Sequence, residues 1–196
     1  MTWLAEMYVT LLPGMLAGIL NMAWCTLPVA RWLAKPIDAG RTLKDGQRLF
    51  GDHKTWKGLI GMTLLGALTT VLWGWLCDLI PAMGRHNLFY EHLANQVWTN
   101  IGLGLAIGLA YALCELPNSF WKRRRGIRPG QRTGRLEGLA FAGLDQVDSI
   151  IGMVLVVACF HPMTLGYFLA YVAVGGLTHV VVNLLLFAAH LRKAPL

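Results

Sequence analysis

Five long apolar stretches follow one another along the chain, and polar or charged segments separate them. A helix needs about 20 apolar residues to cross the hydrocarbon core of a bilayer. Stretches near that length occur at residues 8–30, 58–80, 98–117, 147–162 and 165–190, of which the fourth is the shortest. The pattern predicts an all-α, polytopic membrane protein with five transmembrane helices. We expect residues 1–196 to form a single integral-membrane domain.

The composition agrees with this pattern and excludes an ordinary soluble domain. Hydrophobic residues make up 56% of the chain and charged residues only 14%, with a mean hydropathy of +0.52. A soluble domain carries about 25% charged residues. No basic residue precedes Arg31. We therefore expect the first apolar stretch to stay in the protein as a span and not to be cleaved as a signal peptide.

The basic residues predict the orientation of the helices. All but Arg85 of the 17 Lys and Arg residues lie on one side of the predicted membrane. They are Arg31, Lys35, Arg41, Lys44, Arg48, Lys54, Lys57, Lys122, Arg123, Arg124, Arg125, Arg128, Arg132, Arg135, Arg192 and Lys193. Basic loops stay in the cytoplasm, so we expect two large basic cytoplasmic loops, an outside N-terminus and a cytoplasmic C-terminus. The expected location is the plasma or bacterial inner membrane. A net charge of +7 on so apolar a chain indicates contact with anionic lipid or phosphate, and no nucleic-acid partner is expected.

The first basic loop has the composition of a phosphate-binding segment. It reads KPIDAGRTLKDGQRLFGDHKTWKGLIG over residues 35–61, and Lys54, Thr55 and Lys57 lie at the predicted start of the second helix. Backbone N–H groups at a helix N-terminus attract anions, and the two lysines would add positive charge. Lysines beside a tryptophan are also typical of an interfacial anchor, and spacing alone does not separate the two interpretations.

The second basic loop begins with polar side chains at helical spacing. Ser119, Lys122 and Arg123 share one helix face if the third span continues past Pro117. The run of four basic residues that starts at Lys122 is denser than topology alone requires. A phosphate site and a patch for lipid headgroups both account for it.

Two carboxylates predict a metal site at the start of the fourth span. Asp145 and Asp148 are three residues apart, so they project from one face of a helix. They would repel each other unless they shared a divalent cation, and Mg²⁺ prefers carboxylate and phosphate oxygens. Glu115 on the neighbouring span is a further candidate ligand. Acidic residues that oppose a helix dipole are the alternative interpretation.

These residues make the chain similar to a known enzyme family. The segment 35–61, together with ELPNSFWKRRRGIRPG and LDQVDSIIG, resembles the two cytoplasmic signatures of the CDP-archaeol synthase family, which is related to the CDP-diacylglycerol synthases. The resemblance implies a Mg²⁺-dependent cytidylyltransferase with CTP and a membrane lipid phosphomonoester as substrates. The lipid phosphate, of an archaetidic acid-like or phosphatidic acid-like lipid, would attack the α-phosphorus of CTP. The products would be a CDP-activated lipid and pyrophosphate.

The resemblance also implies roles for individual residues. Asp145 and Asp148 would hold Mg²⁺, Lys122 and Arg123 would neutralise phosphates, and Ser119 would bind a phosphate or the cytidine. The residues that would complete the substrate pocket are Asn21, Asp38, Asp52, Lys54, Thr55 and Lys57. The signature usually opens with Gly-Asp, whereas Cys114-Glu115 stands here. Glutamate keeps the charge but reaches one methylene further, so the geometry of a metal ligand at Glu115 differs from that of the family.

Several alternatives stay open on the sequence. A CTP-dependent polyprenol kinase would use similar phosphate-binding residues, and a non-enzymatic lipid or phosphate transporter would also be a basic membrane protein. The glycine-rich helix faces could pack within one chain or between the chains of a homodimer. The segment containing His86, Glu91 and His92 is interpreted as a solvated interfacial loop. His179 and Asn183, one turn apart, are interpreted as a hydrogen-bonded pair within the last span.

Overall fold

Five membrane-length helices make up most of the chain. The computed structural model describes residues 2–128 and 136–189, and within these ranges it contains helices and turns but no strand. The helices long and apolar enough to cross a membrane are α1 (Thr2–Thr26), α2 (Trp56–Leu79), α4 (Val97–Arg124), α5 (Leu136–Phe160) and α6 (Leu165–Ala188). A short helix, α3 (Pro81–Gly84), follows α2. The prediction of an all-α, five-span membrane protein is confirmed.

The helices are longer than the apolar stretches that predicted them. Helix α4 continues through Pro117 to Arg124, and α5 begins at Leu136, so the fourth span is not a short one. The additional turns contain polar residues that face other parts of the protein. Hydropathy therefore falls before the helix ends. Arg132, Arg135, Arg192 and Lys193 lie outside the described residues, and the orientation of the helices stays a prediction.

Glycines bring α2 and α4 into backbone contact. A methyl group at Gly66 would overlap the carbonyl oxygen of Gly104, and one at Gly108 would overlap that of Met62. Only hydrogen fits at these positions, which is the usual reason for small residues between membrane helices. Gly152 of α5 meets α4 in the same way. These glycines therefore pack helices within one chain, and a homodimer stays a prediction.

The apolar core occupies one end of the helix bundle. It includes Met7, Leu11, Phe89, Ile107 and Met153, all almost completely buried. They come from the first half of α1, the α3–α4 connection, the first half of α4 and the second half of α5. We call this the core end. The first basic loop and residues 125–128 of the second lie at the opposite end, the loop end, where the helices enclose a polar cavity.

Candidate active site

A cavity of about 660 Å³ opens at the loop end of the bundle. The charged residues that line it, here called the polar wall, come from the two loops, α4 and α5. Its apolar lining includes Met15 and Ile19 of α1 and Val182 and Leu186 of α6. A cavity lined by both charged and apolar side chains matches a ligand that carries a charged group on a hydrocarbon body.

Two ion pairs hold the polar wall together. Lys54 Nζ donates to Glu115 Oε2, and Lys122 Nζ donates to both carboxylate oxygens of Asp145. Burial alone would lower the pKa of Lys54, but the Glu115 carboxylate outweighs burial and raises the pKa above its ordinary value. Lys54 therefore stays charged. The two pairs connect the first loop to α4 and α4 to α5.

Asn118 joins the two aspartates that the sequence predicts as metal ligands. Its Nδ2 donates to Asp145 Oδ1 at 2.7 Å and to Asp148 Oδ2 at 2.8 Å. The residue is 4% exposed, and no described residue donates a hydrogen bond to its Oδ1. The site thus contains two carboxylates and a buried amide oxygen without a partner, which is an oxygen-rich set of the kind that Mg²⁺ prefers.

Asn118 is not among the site residues predicted from the sequence. Its position on the helix could have indicated it, because Glu115, Asn118 and Lys122 lie on one face of α4. Gln146 was missed as well. His179 Nδ1 lies 3.2 Å from the Gln146 carbonyl oxygen, and Asn183 Nδ2 donates to Gln146 Oε1 at 2.8 Å. The expected polar pair is therefore a group of three residues in which Gln146 joins His179 and Asn183.

Arg123 is a buried cation in the cavity wall. Its residue is 8% exposed, and its Nε and Nη1 have no hydrogen-bond partner among the described residues. A buried guanidinium without an anion is costly, because neither water nor a carboxylate replaces its hydration. Ser119, one turn earlier on α4, lines the same cavity. The arrangement is that of a receptor for an anion.

The next residue, Arg124, binds the first loop. Its Nη1 donates to both oxygens of Asp45 at 2.7 and 2.6 Å, and its Nη2 donates to the Gln47 carbonyl oxygen at 3.0 Å. The guanidinium also lies 5.0 Å from the Phe120 ring. The basic run at the end of α4 therefore connects the two loops, beyond any effect that it has on membrane topology.

Asp38 organises the first loop and does not line the cavity. Its side chain accepts hydrogen bonds from the backbone N–H groups of Gly40, Phe50 and Gly51 and from the Arg48 guanidinium. Burial raises the pKa of this carboxyl, but the hydrogen bonds from Arg48 and the backbone outweigh burial, so the pKa lies well below its usual range.

Asp52 and Lys57 also lie away from the cavity lining. The side chain of Asp52 is 70% exposed and is 2.8 Å from Arg48 Nη1. Lys57 is 4% exposed, and its Nζ donates to the carbonyl oxygen of Leu27 at 2.6 Å and to that of Cys25 at 3.4 Å. It therefore satisfies carbonyls at the end of α1, where a cation also favours the helix dipole.

Three of the predicted substrate-pocket residues do not line this cavity, and their part in substrate binding stays a prediction. Asp38, Asp52 and Lys57 shape the surrounding structure, because their charges are already paired or are turned toward a helix end. The other predicted residues line one cavity. They are Asn21, Lys54, Thr55, Glu115, Ser119, Lys122, Arg123, Asp145 and Asp148.

Two of these residues anchor the start of α2. Asn21 Nδ2 donates to the Gly58 carbonyl oxygen at 3.1 Å, and Thr55 Oγ1 accepts from Gly58 N at 3.2 Å. Thr55 is thereby the N-cap of α2. The positive end of the α2 dipole lies beside the cavity.

Comparisons with known proteins identify the family. A family model described as CarS-like, CDP-archaeol synthase, matches residues 7–196. The chain belongs to the CDP-archaeol synthase family. It is 30% identical to the CDP-archaeol synthase of Pyrococcus furiosus, over 86% of this chain and 87% of that protein. It is 32% identical to the CDP-archaeol synthase of Methanospirillum hungatei, over 82% of this chain and 89% of that protein.

A solved structure has the same fold. It belongs to an intramembrane enzyme for archaeal membrane lipid biosynthesis, with a TM-score of 0.58 and 27% identity over 90% of this chain and 91% of that one. Membership of the family confirms the prediction of a cytidylyltransferase that uses CTP to make a CDP-activated lipid.

Proposed function

We propose that the chain transfers the CMP unit of CTP to an archaeol-type lipid phosphomonoester. An oxygen of the lipid phosphate forms a bond to the α-phosphorus of CTP, the bond from that phosphorus to the β-phosphate oxygen breaks, and pyrophosphate leaves. The ether lipid is favoured because the similar proteins are named for CDP-archaeol and for archaeal lipids. The observation that carries the proposal is Arg123, a buried guanidinium in the cavity lining whose Nε and Nη1 have no hydrogen-bond partner among the described residues.

Four Lys and Arg side chains line the cavity and suit a triphosphate, namely Lys54, Lys122, Arg123 and Arg128. Arg123 has donors to spare, whereas Lys54 and Lys122 are paired with Glu115 and Asp145. Phosphate oxygens entering between them would compete for both lysines and would satisfy Arg123 outright. Charge neutralisation and positioning provide most of the catalysis in phosphoryl transfer, so this set of cations is the main contribution of the protein.

Asp145 and Asp148 are the residues proposed to hold Mg²⁺, with Asn118 Oδ1 as a third oxygen and Glu115 within the same wall. The buried, unpartnered Oδ1 supports this assignment. When bound, Mg²⁺ would neutralise charge on the triphosphate and on the leaving pyrophosphate. Lys122 would move from Asp145 to a phosphate oxygen, and the metal ion would take its place beside the Asp145 carboxylate.

The apolar part of the cavity lining suits the lipid substrate. It includes Met15 and Ile19 of α1 and Val182 and Leu186 of α6. Hydrocarbon tails against these side chains would stay at bilayer depth while the lipid phosphate reaches Arg123. We place the cavity at the cytoplasmic face of the cell membrane, because the basic residues lie at that end and CTP is a cytoplasmic nucleotide.

The test is an assay of purified protein in nanodiscs with CTP, Mg²⁺ and lipid phosphates matched in chain length. Archaetidic acid, its ester counterpart and a polyprenol would be offered separately, and pyrophosphate, CDP and the lipid product would be quantified. We expect pyrophosphate and a CDP-lipid, with the ether lipid turned over fastest. CDP together with a phosphorylated alcohol would overturn the proposal in favour of a kinase. Absence of both products from folded protein that binds CTP would overturn it as well.

The matched variants are Arg123→Gln and Arg125→Gln. Arg125 is the exposed neighbour of Arg123 in the same basic run and is absent from the cavity wall. Loss of product formation in Arg123→Gln alone would tie the chemistry to the cavity. Equal loss in both would show that the basic run acts only through its total charge.

A further inference from the structure

A second group of metal-ligating side chains lies at the core end of the bundle. Glu91 and His92 belong to the connection between α3 and α4, and His161 directly follows α5. One ligand atom from each of the three lies within 4.8 Å of the others. The loop-end cavity is at the opposite end of the helices, so this group takes no part in the transferase site. From its sequence this segment is predicted to be a solvated loop, because the spacing of its His and Glu residues is not typical of a metal site. The third member of the group, His161, is distant in sequence.

One ring nitrogen of His161 is available to bind a metal ion. Its Nδ1 lies 2.8 Å from Glu91 Oε2, yet this buried nitrogen makes no hydrogen bond with any described residue. The Glu91 oxygen therefore lies to one side of the direction in which this ring nitrogen would bind a partner. A metal ion bound to the nitrogen along that direction would have the Glu91 oxygen beside it as a second ligand. The ring of His92 stacks against His161, with centroids 6.3 Å apart and planes 30° apart.

The surrounding contacts hold the three residues in place without a ligand. Phe89 packs edge-to-face against Phe160, with ring centroids 5.9 Å apart. Tyr90 Oη donates to Asn100 Oδ1 at 2.8 Å. Tyr90 directly precedes Glu91, Phe89 lies one residue earlier, and Phe160 directly precedes His161. The backbone that leads into each part of the group is therefore anchored, which lowers the cost of binding.

We propose that Glu91, His92 and His161 bind a transition-metal ion of the Zn²⁺ type. Two imidazoles and one carboxylate, with water in the fourth position, form a set that Zn²⁺ accepts and Mg²⁺ disfavours. The ion would fasten the α3–α4 connection to the turn between α5 and α6. The bound ion would stabilise the fold, because a ligand that binds only the folded protein stabilises it.

The test is metal binding by the intact protein in nanodiscs, with Mg²⁺ in excess to occupy oxygen sites. Zn²⁺ content would be measured after desalting, and Co²⁺ would replace Zn²⁺ as a visible-absorption probe of four-coordination. We expect one equivalent of Zn²⁺, a Co²⁺ spectrum typical of nitrogen ligands, and a higher thermal midpoint with Zn²⁺. His86→Ala is the control, because His86 lies in the same connection but outside the group.

His92→Ala and His161→Ala should weaken Zn²⁺ binding by more than about 10-fold, the loss typical even for residues that only support a ligand. His92 is exposed, so His92→Ala keeps the test valid should His161→Ala fail to fold. Absence of Zn²⁺ from the folded parent protein would overturn the proposal and leave an ion pair of His161 with Glu91. Unchanged binding in His92→Ala, or equal loss in His86→Ala, would overturn it too.

Discussion

Asn118 and Asp148 form a buried hydrogen bond of 2.8 Å between α4 and α5, and the same amide nitrogen also reaches Asp145. One neutral side chain thus holds together two carboxylates that line the cavity. Its nitrogen faces the aspartates, and its oxygen has no partner among the described residues. Asn118 is therefore a positioning residue for the predicted metal ligands and a candidate ligand itself.

Asn118→Ala should lower kcat/KM by about 10–100-fold, as is typical for residues that orient metal ligands. It should also raise the Mg²⁺ concentration needed for half-maximal activity, because the two aspartates lose their shared donor. Activity measured over a Mg²⁺ series tests this. Asn95→Ala is the control, because Asn95 bonds to Gly74 and Asp78 near the other end of α2. A parallel shift of the Mg²⁺ requirement in both variants would contradict the assignment.

Arg123→Gln should separate stability from activity. Two nitrogens of the buried Arg123 guanidinium have no hydrogen-bond partner among the described residues, so removing the charge should leave the thermal midpoint unchanged or raise it. Binding of CTP or of the lipid phosphate should weaken by about 2–5 kcal/mol, as when one partner of a buried charge pair is removed. Thermal unfolding and equilibrium binding of each substrate check the two effects. A variant that is destabilised but binds normally would show that Arg123 is a structural residue.

Lys57→Ala should lower stability without changing the KM for CTP. The side chain satisfies two carbonyl oxygens at the end of α1, and loss of these bonds should cost about 1–3 kcal/mol. Lys57→Met keeps the length of the side chain but cannot donate, so it should lose nearly as much stability. Unfolding midpoints and CTP titrations of both variants are the measurements. An increased KM in Lys57→Met with unchanged stability would return Lys57 to the substrate pocket.

The stability of the first loop should depend on pH through Asp38. Because its pKa is lowered in the folded protein, the carboxylate contributes stability at pH values above the ordinary Asp pKa of 3.8. That contribution is lost progressively as the pH falls from there toward the folded pKa. Asp38→Asn should weaken the loop at neutral pH and abolish this acid-dependent loss.

Hydrogen exchange of residues 35–55 between neutral and acidic pH measures the effect. Asp52→Asn is the control, since the side chain of Asp52 is largely exposed and bonds to Arg48. If protection of the loop fell equally with pH in the Asp38→Asn variant, the Asp38 carboxylate would not be the group that titrates.

Features set by neighbouring residues could be predicted from the sequence, whereas contacts between residues far apart in the chain could not. Apolar length located all five spans, and helical spacing placed Lys122, Arg123 and Asp145 on faces that do meet in one cavity. The hydrogen-bond partners of the Lys57 side chain could not be predicted from neighbouring residues, because they lie at the end of α1, about 30 residues away in sequence. Glu91 and His161 are 70 residues apart and meet only when the bundle forms. Helix ends were misjudged where polar residues face protein, since hydropathy does not distinguish that environment from water.

The contact of Gly66 with Gly104 and Gly108 has a consequence for the far end of the same helices. Backbones that touch cannot slide past each other by a fraction of a turn without steric overlap, so this contact fixes the axial alignment of α2 and α4. Lys54 precedes one of these helices, and Glu115 and Asn118 lie on the other. The distance between these candidate site residues along the helix axes is thus fixed by three residues that have no side chains.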